Sequence, residues 1–276
     1  MKSVAIKSPE QKEYEWKAKR HGKITASTLP NLMKAGKGVP FGKTSLDELY
    51  IVRYERRTGV TRENGSSKAF DWGRDNEPLA VEWIRAQLID EVKSCTTDFP
   101  DIVFNEPFSG FGDSPDFYVY GTDGEVKAVG EIKCPMSQSK IEALQFLTGI
   151  TEKDEYYWQF LGHFVGMPTV QTLYYVVYDG YNNDGRIIVM NRADHESNIK
   201  KLTERIKLSN EMVECSLKTG LDLPDCIELA TSIMLIHLQI EELAKVKTGN
   251  VPVQNQIFKL KKEIRKMIAD KKVTNK

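Results

Sequence analysis

Apolar and polar residues repeat with two different periods along this chain, and the changes of period divide it into segments. Residues 12–34 repeat at helical spacing with a break near Gly22, and Thr25 stands where it can cap a second helix through Leu32 and Met33. A Gly/Lys loop, AGKGVPFGK, follows. Residues 44–59 predict another helix, with Thr44 or Ser45 as cap and Leu46, Leu49, Tyr50 and Tyr54 on one face. After the polar loop 61–68, residues 72–91 predict a helix built on Leu79, Val81, Ile84 and Leu88.

The period then shortens. Residues 102–108, 116–120 and 127–133 alternate as strands, with turn signals at Ser109–Gly112 and Gly121–Gly124. Helical spacing returns over 139–149 and 155–166. TLYYVVY (172–178) is the clearest strand in the chain, and 186–190 pairs with it across YNNDG. A helix is expected over 194–218, a linker over 219–225, and two helices over 226–247 and 254–270, the last with Ile257, Leu260, Ile264 and Met267 on one face among lysines. The order implies an α/β (α+β) fold with a central mixed sheet flanked by helices. Residues 1–219 form the expected main domain and 220–276 a C-terminal helical extension.

The alternation gives one motif chemical meaning. Asp116 opens one strand, and Glu131 and Lys133 lie on the next. Residues i and i+2 of a strand share a face, so Glu131 and Lys133 project together and Ile132 points away. A hairpin brings Asp116 beside them. Two carboxylates on one sheet face suit a hard divalent cation, above all Mg²⁺. A neighbouring lysine can position or deprotonate water, or stabilise charge on a phosphoryl transition state. Exposed strand carboxylates with a salt-bridging lysine are the plain alternative, since D…ExK is a short pattern. No phosphate-binding glycine loop, dinucleotide fingerprint or serine-nucleophile elbow occurs in a fitting context.

Composition narrows the setting. Of 276 residues, 40% are hydrophobic and 28% charged, as in an ordinary globular protein. No apolar run approaches the roughly 18–20 residues of a membrane span, and the N-terminus lacks the apolar stretch of a signal peptide. Cys95, Cys134, Cys215 and Cys226 form no CxxC pair, so a reducing cytoplasm is the expected location, without zinc or disulfide framework. Net charge is zero but uneven. Residues 1–68 carry 15 Lys/Arg against 7 Asp/Glu and residues 257–276 carry 8 against 2, leaving the middle net acidic. A basic front and acidic centre suit an enzyme that holds a polyanion and binds cations.

Other residues extend the motif. Glu77 lies in WGRDNEPLAVEW near the expected start of a helix, and Gln159 in YYWQFLGHF follows the site. Arg20 and Ser27, in WKAKRHGKITAS, combine side chains suited to a phosphate. In this order the pieces Trp16-x3-Arg20, Ile24-Thr25-Ala26-Ser27, Lys68-Ala69-x-x-Trp72-Gly73-x3-Glu77, Ser114-Pro115-Asp116, Glu131-x-Lys133-Cys134-Pro135 and Tyr156-x2-Gln159 resemble the phage lambda exonuclease and YqaJ-like recombinase family, a branch of the PD-(D/E)XK nucleases. The resemblance covers about residues 14–200.

It implies a restriction-endonuclease-like core and a Mg²⁺-dependent 5′→3′ exonuclease. Such an enzyme degrades one strand of linear duplex DNA from 5′-phosphorylated ends, leaving a 3′ strand for a single-strand annealing protein. It implies two Mg²⁺ ions, replaceable by Mn²⁺, held by Asp116, Glu131, the main-chain carbonyl of Ile132 and Glu77. Lys133 would activate water with help from Gln159, and Arg20, Ser27 and Ser114 would bind the 5′ phosphate. Phe70 matches a strand-separating wedge, although a core-facing Phe fits the position equally. Lys37 matches a groove contact, with Lys34 and Lys43 beside it. A ring-shaped homo-oligomer, a trimer above others, is also implied, in the bacterial host cytoplasm if the chain is phage-encoded. Leu161 departs from the family where a second Gln is usual, and Phe117 where a small residue follows Pro-Asp. The competing readings are a repair endonuclease on the same core and a non-catalytic DNA-binding assembly protein.

Overall fold

A computed structural model of the chain describes residues 8–62, 65, 67–88, 92–95, 104–245 and 251–274. Helix α1 (Pro9–Arg20) starts at a reciprocal cap in which Gln11 N donates to Ser8 Oγ and Ser8 N to Gln11 Oε1. The helical period expected to resume after Gly22 gives way first to a two-residue strand, β1 (Ile24–Thr25), then a 3₁₀ turn, Ala26–Thr28, and the short helix α2 (Leu29–Leu32). Helix α3 (Lys43–Thr58) is entered from Gly42 rather than capped by Thr44 or Ser45. The Ser45 hydroxyl donates instead to the Lys34 carbonyl at 2.5 Å, and Gly42 N donates to the same oxygen, which pins the Gly/Lys loop. Gly59 ends α3 at φ 74°, a left-handed turn that glycine adopts without steric cost.

Helix α4 (Lys68–Leu88) begins four residues earlier than the periodicity indicates and carries Pro78 inside it. Glu77 therefore lies in its third turn, too deep for a favourable first-turn dipole interaction. The strands follow: β2 (Val92–Cys95), β3 (Phe111–Gly112), β4 (Phe117–Tyr120) and β5 (Val126–Lys133). Of the strand expected over 102–108, residues 102 and 103 lie outside the described residues. The remainder makes only an isolated bridge, Asn105 to Asp113. Helices α5 (Gln138–Gln145) and α6 (Tyr157–Gly166) then lead to β6 (Thr172–Asp179) and β7 (Asp184–Asn191).

The main sheet has the order β2-β4-β5-β6-β7, with β5 and β6 parallel and the other pairs antiparallel. Parallel neighbours need a crossover, which α5 and α6 supply. Strand β1 pairs with β3 in a separate parallel ladder, Ile24 opposite Phe111 and Thr25 opposite Gly112. One face of the main sheet packs Tyr118, Val129 and Tyr175 against α6, and the other packs Phe117, Ile132 and Val176 against α4. The bulky Phe117 fits because it lies over Gly130, where any β-carbon would collide with its ring.

Helix α7 (Glu196–Thr219) turns at Gly220 into a 3₁₀ turn and the pair α8 (Ile227–Ala244) and α9 (Val251–Thr274). The expected linker is mostly exposed but sends one residue into the interior. Leu223 is fully buried and joins the main core with Ala230, while Ile233, Ile236 and Ile264 form a smaller core with Cys215 and Cys226. No single helix among the described residues is long and apolar enough to cross a membrane.

Candidate active site

The carboxyl end of β5 gathers the motif. Asp116 N donates to the Gly130 carbonyl, and Asp116 Oδ2 accepts from Ile132 N at 2.7 Å. Asp116 does not open the strand as expected but sits in the bend just before β4, and its carboxylate is thereby fastened to the backbone of β5. Glu131 and Lys133 share a face as the alternation requires, and Lys133 Nζ donates to Glu131 Oε1 at 2.5 Å. The Lys133 ammonium also lies 4.8 Å from the centre of the Tyr156 ring, a cation–π contact.

Helix α6 covers this face. Its Gln159 Nε2 donates to the same Glu131 Oε1 at 2.5 Å. One turn further on, His163 Nε2 lies 2.9 Å from Glu131 Oε2, within ion-pair distance but off the line of a good hydrogen bond. His163 Nδ1 is 2.8 Å from Asp113 Oδ1. Asp113 and His163 did not emerge from the sequence. The available signal was a polar pair at i and i+4 in the otherwise apolar YWQFLGHF, together with an acid just before Ser114-Pro115-Asp116.

Electrostatics separate the carboxylates. Burial pushes the Glu131 carboxyl up, but Lys133 and His163 outweigh burial and hold it at about 2. Asp116 goes the other way. Burial, then Glu131, then Glu77 raise it well above the usual carboxylate range. Glu77 on α4 thus acts on the site through its charge, which joins burial in raising the Cys134 thiol to about 12. Lys133 stays charged, since Glu131 and Asp116 overcome the effect of its burial. Burial lowers His163, but Asp113 and Glu131 raise it to about 10.

Among the described residues no three His, Cys, Asp or Glu side chains stand together as a formed metal cage. The donor chemistry nevertheless fits a hard divalent cation. Asp116 holds negative charge at a cost set first by burial and then by Glu131 and Glu77, and a nearby cation would relieve it. Glu131 is the more engaged donor, with Oε1 shared by Lys133 and Gln159.

A pocket of about 130 Å³ is lined by Trp16, Arg20, Thr25, Ser27, Glu55, Thr61 and Arg62 among others, and its Arg20 is within electrostatic reach of Asp113 and Glu131. Arg20 Nη2 donates to Ser27 Oγ at 3.1 Å and Thr25 Oγ1 at 3.2 Å, and its guanidinium lies over Trp16. Burial and the neighbouring Arg62 lower Arg20 to about 10, against the pull of Asp113 and Glu131. Arg62 is paired with Glu48 at 3.1 Å and lies 4.0 Å from Glu55, which also lines the pocket, so Arg20 is the guanidinium left to favour an anion there. Arg62 is a pocket residue that the sequence did not single out. Ser114 is half-buried and does not line the pocket, so Arg20 and Ser27 are brought together without it.

The remaining candidates are surface residues. Phe70, in the first turn of α4, is 56% exposed and is therefore not a core residue. Lys34, Lys37 and Lys43 are exposed on and beside the loop between α2 and α3, Lys34 bonded to Asn31 and Lys43 paired with Asp47.

Residues 15–165 match the YqaJ-like viral recombinase domain. No curated protein matches the chain. The fold is similar to that of a phage-related exonuclease from Haemophilus somnus 129PT, with a TM-score of 0.50 and 15% identity over 70% of this chain and 94% of that one.

Proposed function

Because the chain belongs to the YqaJ-like viral recombinase family, we propose that it is a nuclease of phage recombination, a Mg²⁺-dependent 5′→3′ exonuclease on a PD-(D/E)XK core. The observation that carries this reading is an acidic centre (Asp116, Glu131 and Glu77) within electrostatic reach of Arg20, which lines a separate small pocket with Ser27 and Arg62. An acidic centre alone serves any phosphodiester hydrolase. A separate anion pocket within electrostatic reach of it favours a substrate held by a terminal phosphate, which carries more charge than an internal diester.

In this reading Asp116, Glu131, Glu77 and the Ile132 carbonyl hold the metal. Two Mg²⁺ ions, or Mn²⁺, would supply an activated water and charge stabilisation at the leaving oxygen. The chain's own residues do the rest. Ile132 N–H fixes the Asp116 carboxylate. Lys133, kept cationic, places positive charge where the phosphoryl oxygens gain negative charge, and Gln159 orients Glu131. Arg20 and Ser27 seat the 5′ phosphate, so hydrolysis at the adjacent bond releases a mononucleotide. Phe70 is exposed as a wedge between terminal bases requires, and Lys34, Lys37 and Lys43 offer phosphate contacts. A ring of subunits, a trimer above others, would enclose the duplex in the host cytoplasm, and the 3′ strand would pass to an annealing protein.

The test is digestion with Mg²⁺ of linear duplexes bearing 5′-phosphate or 5′-hydroxyl ends and of closed circles. Mononucleotide release from 5′-phosphorylated ends supports the reading. Equal attack on closed circles would favour an endonuclease, and binding without cleavage an assembly protein.

A further inference from the structure

The contacts of Glu131 divide between its two oxygens. Oε1 receives Lys133 and Gln159, and Oε2 faces His163. The Lys133 side chain is 23% exposed, whereas that of His163 is 1% exposed and that of Asp113 is fully buried. Asp113 is itself fixed by its backbone. Its N–H and C=O bridge Asn105 in both directions, at 2.9 and 2.8 Å, just after β3 pairs with β1. Gly166, the last residue of α6, leaves the space that Asp113 occupies, since a β-carbon there would collide with the carboxylate. Among the described residues Asp113 Oδ2 has no hydrogen-bond partner, although a buried carboxylate oxygen without one is costly. A buried carboxylate oxygen left in this state points to a role beyond packing.

From this geometry we infer that Asp113 and His163 form a buried positioning pair that holds Glu131 in the orientation needed to bind a divalent cation. The inference rests on the metal-dependent nuclease reading. Asp113 fixes His163 through Nδ1. The imidazole then stands against Oε2 and stops Glu131 from turning toward the interior. Binding a metal requires Glu131 to loosen its hold on Lys133 or Gln159 at Oε1, and contact with His163 keeps the carboxylate in place while it does so. Partners one step beyond a metal ligand commonly set affinity in this way, by about 10- to 100-fold. Asp113 and His163 are positioning residues, with no contact to the reacting atoms.

The test titrates metal-stripped full-length protein with Mn²⁺, without DNA, and follows free ion by electron paramagnetic resonance. Wild type, Asp113→Asn, His163→Gln, the double variant and Asp116→Ala are compared. Each single variant is expected to weaken Mn²⁺ binding by about 10- to 100-fold, and the double variant to be no worse than the weaker single, as for residues acting as one unit. Nuclease turnover should return toward wild type at raised Mn²⁺, which a general loss of folding would not allow. Wild-type Mn²⁺ affinity in Asp113→Asn and His163→Gln, or fully additive losses, overturns the pair while leaving the metal site standing. If wild type itself binds no Mn²⁺ that Asp116→Ala loses, the metal reading falls and takes the pair with it. Should these variants fail to fold, Gly166→Ala serves instead. It crowds Asp113 without removing a charge, and it too should weaken Mn²⁺ binding. Unchanged affinity in that variant overturns the pair.

Discussion

The main-chain N–H of Ile132 donates to Asp116 Oδ2 at 2.7 Å, so the two strands that carry the acidic centre are locked to each other at the site itself. Asp116→Asn keeps an acceptor for this bond but loses the charge. It should cost about 4 kcal/mol of transition-state stabilisation, on the order of 10³-fold in rate. Duplex binding, followed by fluorescence anisotropy, should change little. Near wild-type single-turnover cleavage would place the centre elsewhere.

Lys133 is tied to Glu131 and held cationic. Lys133→Met should slow cleavage by about 10²- to 10⁴-fold, the usual range for a positioned group acting on charge or a proton in the transition state. The same change frees Glu131 Oε1, so Mn²⁺ binding should hold or tighten. Calorimetry on the metal-stripped variant separates the two effects, and a parallel loss of binding would count against this division of labour.

Stability of the metal-free protein should fall as pH rises through the neutral and alkaline range. His163 is raised from 6.5 to about 10, so the native state binds the extra proton between those values. Its contribution is fully present below pH 6.5 and is lost as pH climbs through about 10. Asp116, raised above its ordinary 3.8, loses stability with rising pH in the same sense, from a lower starting point. Mg²⁺ should offset the Asp116 part, and its uptake should release protons. Urea melts at pH 6, 8 and 10 check this. A flat profile for both wild type and His163→Gln would rule out the assigned charge states.

Arg20 and Arg62 share one pocket. Removing Arg20 should lower the preference for 5′-phosphate over 5′-hydroxyl ends by about 10-fold or more, since a hydrogen bond to a charged group contributes about 1.5–3 kcal/mol. The ratio of initial rates on the two ends measures it. An unchanged ratio in Arg62→Ala would leave Arg20 as the working guanidinium.

Phe70 gives a cleaner separation. At 56% exposure, Phe70→Ala should shift stability by no more than about 0.5 kcal/mol. It should slow digestion of fully paired ends yet spare ends already frayed by mismatches. Equal slowing on both kinds of end would remove the wedge.

Alternation made Glu131 and Lys133 legible, because a strand's period of two assigns faces without knowledge of the fold. The short phosphate motif also placed Arg20 near Ser27, which the β1–β3 ladder and α1 bring within 3.1 Å. Asp113 and His163 were not legible, since their meaning arises only when residues 50 apart meet in the interior. Strands β1 and β3, two residues each, are too short to show a period. Helix α4 was placed late because its first turn, from Lys68 to Asp71, has only Phe70 as a large apolar residue and that side chain is exposed. Leu223 sits between Gly220 and Pro224, and linker-like neighbours hid a core residue.

The parallel pairing of β5 with β6 has a consequence for synthesis on the ribosome. Glu131 and Lys133 emerge first, the helix that fixes them is made later as part of the crossover, and β6 follows later still. A nascent chain ending before about Asp179 carries its acidic residues without Gln159 and His163 locked over them. If the proposed function holds, the growing polypeptide is expected to gain its cutting edge only once the crossover has closed.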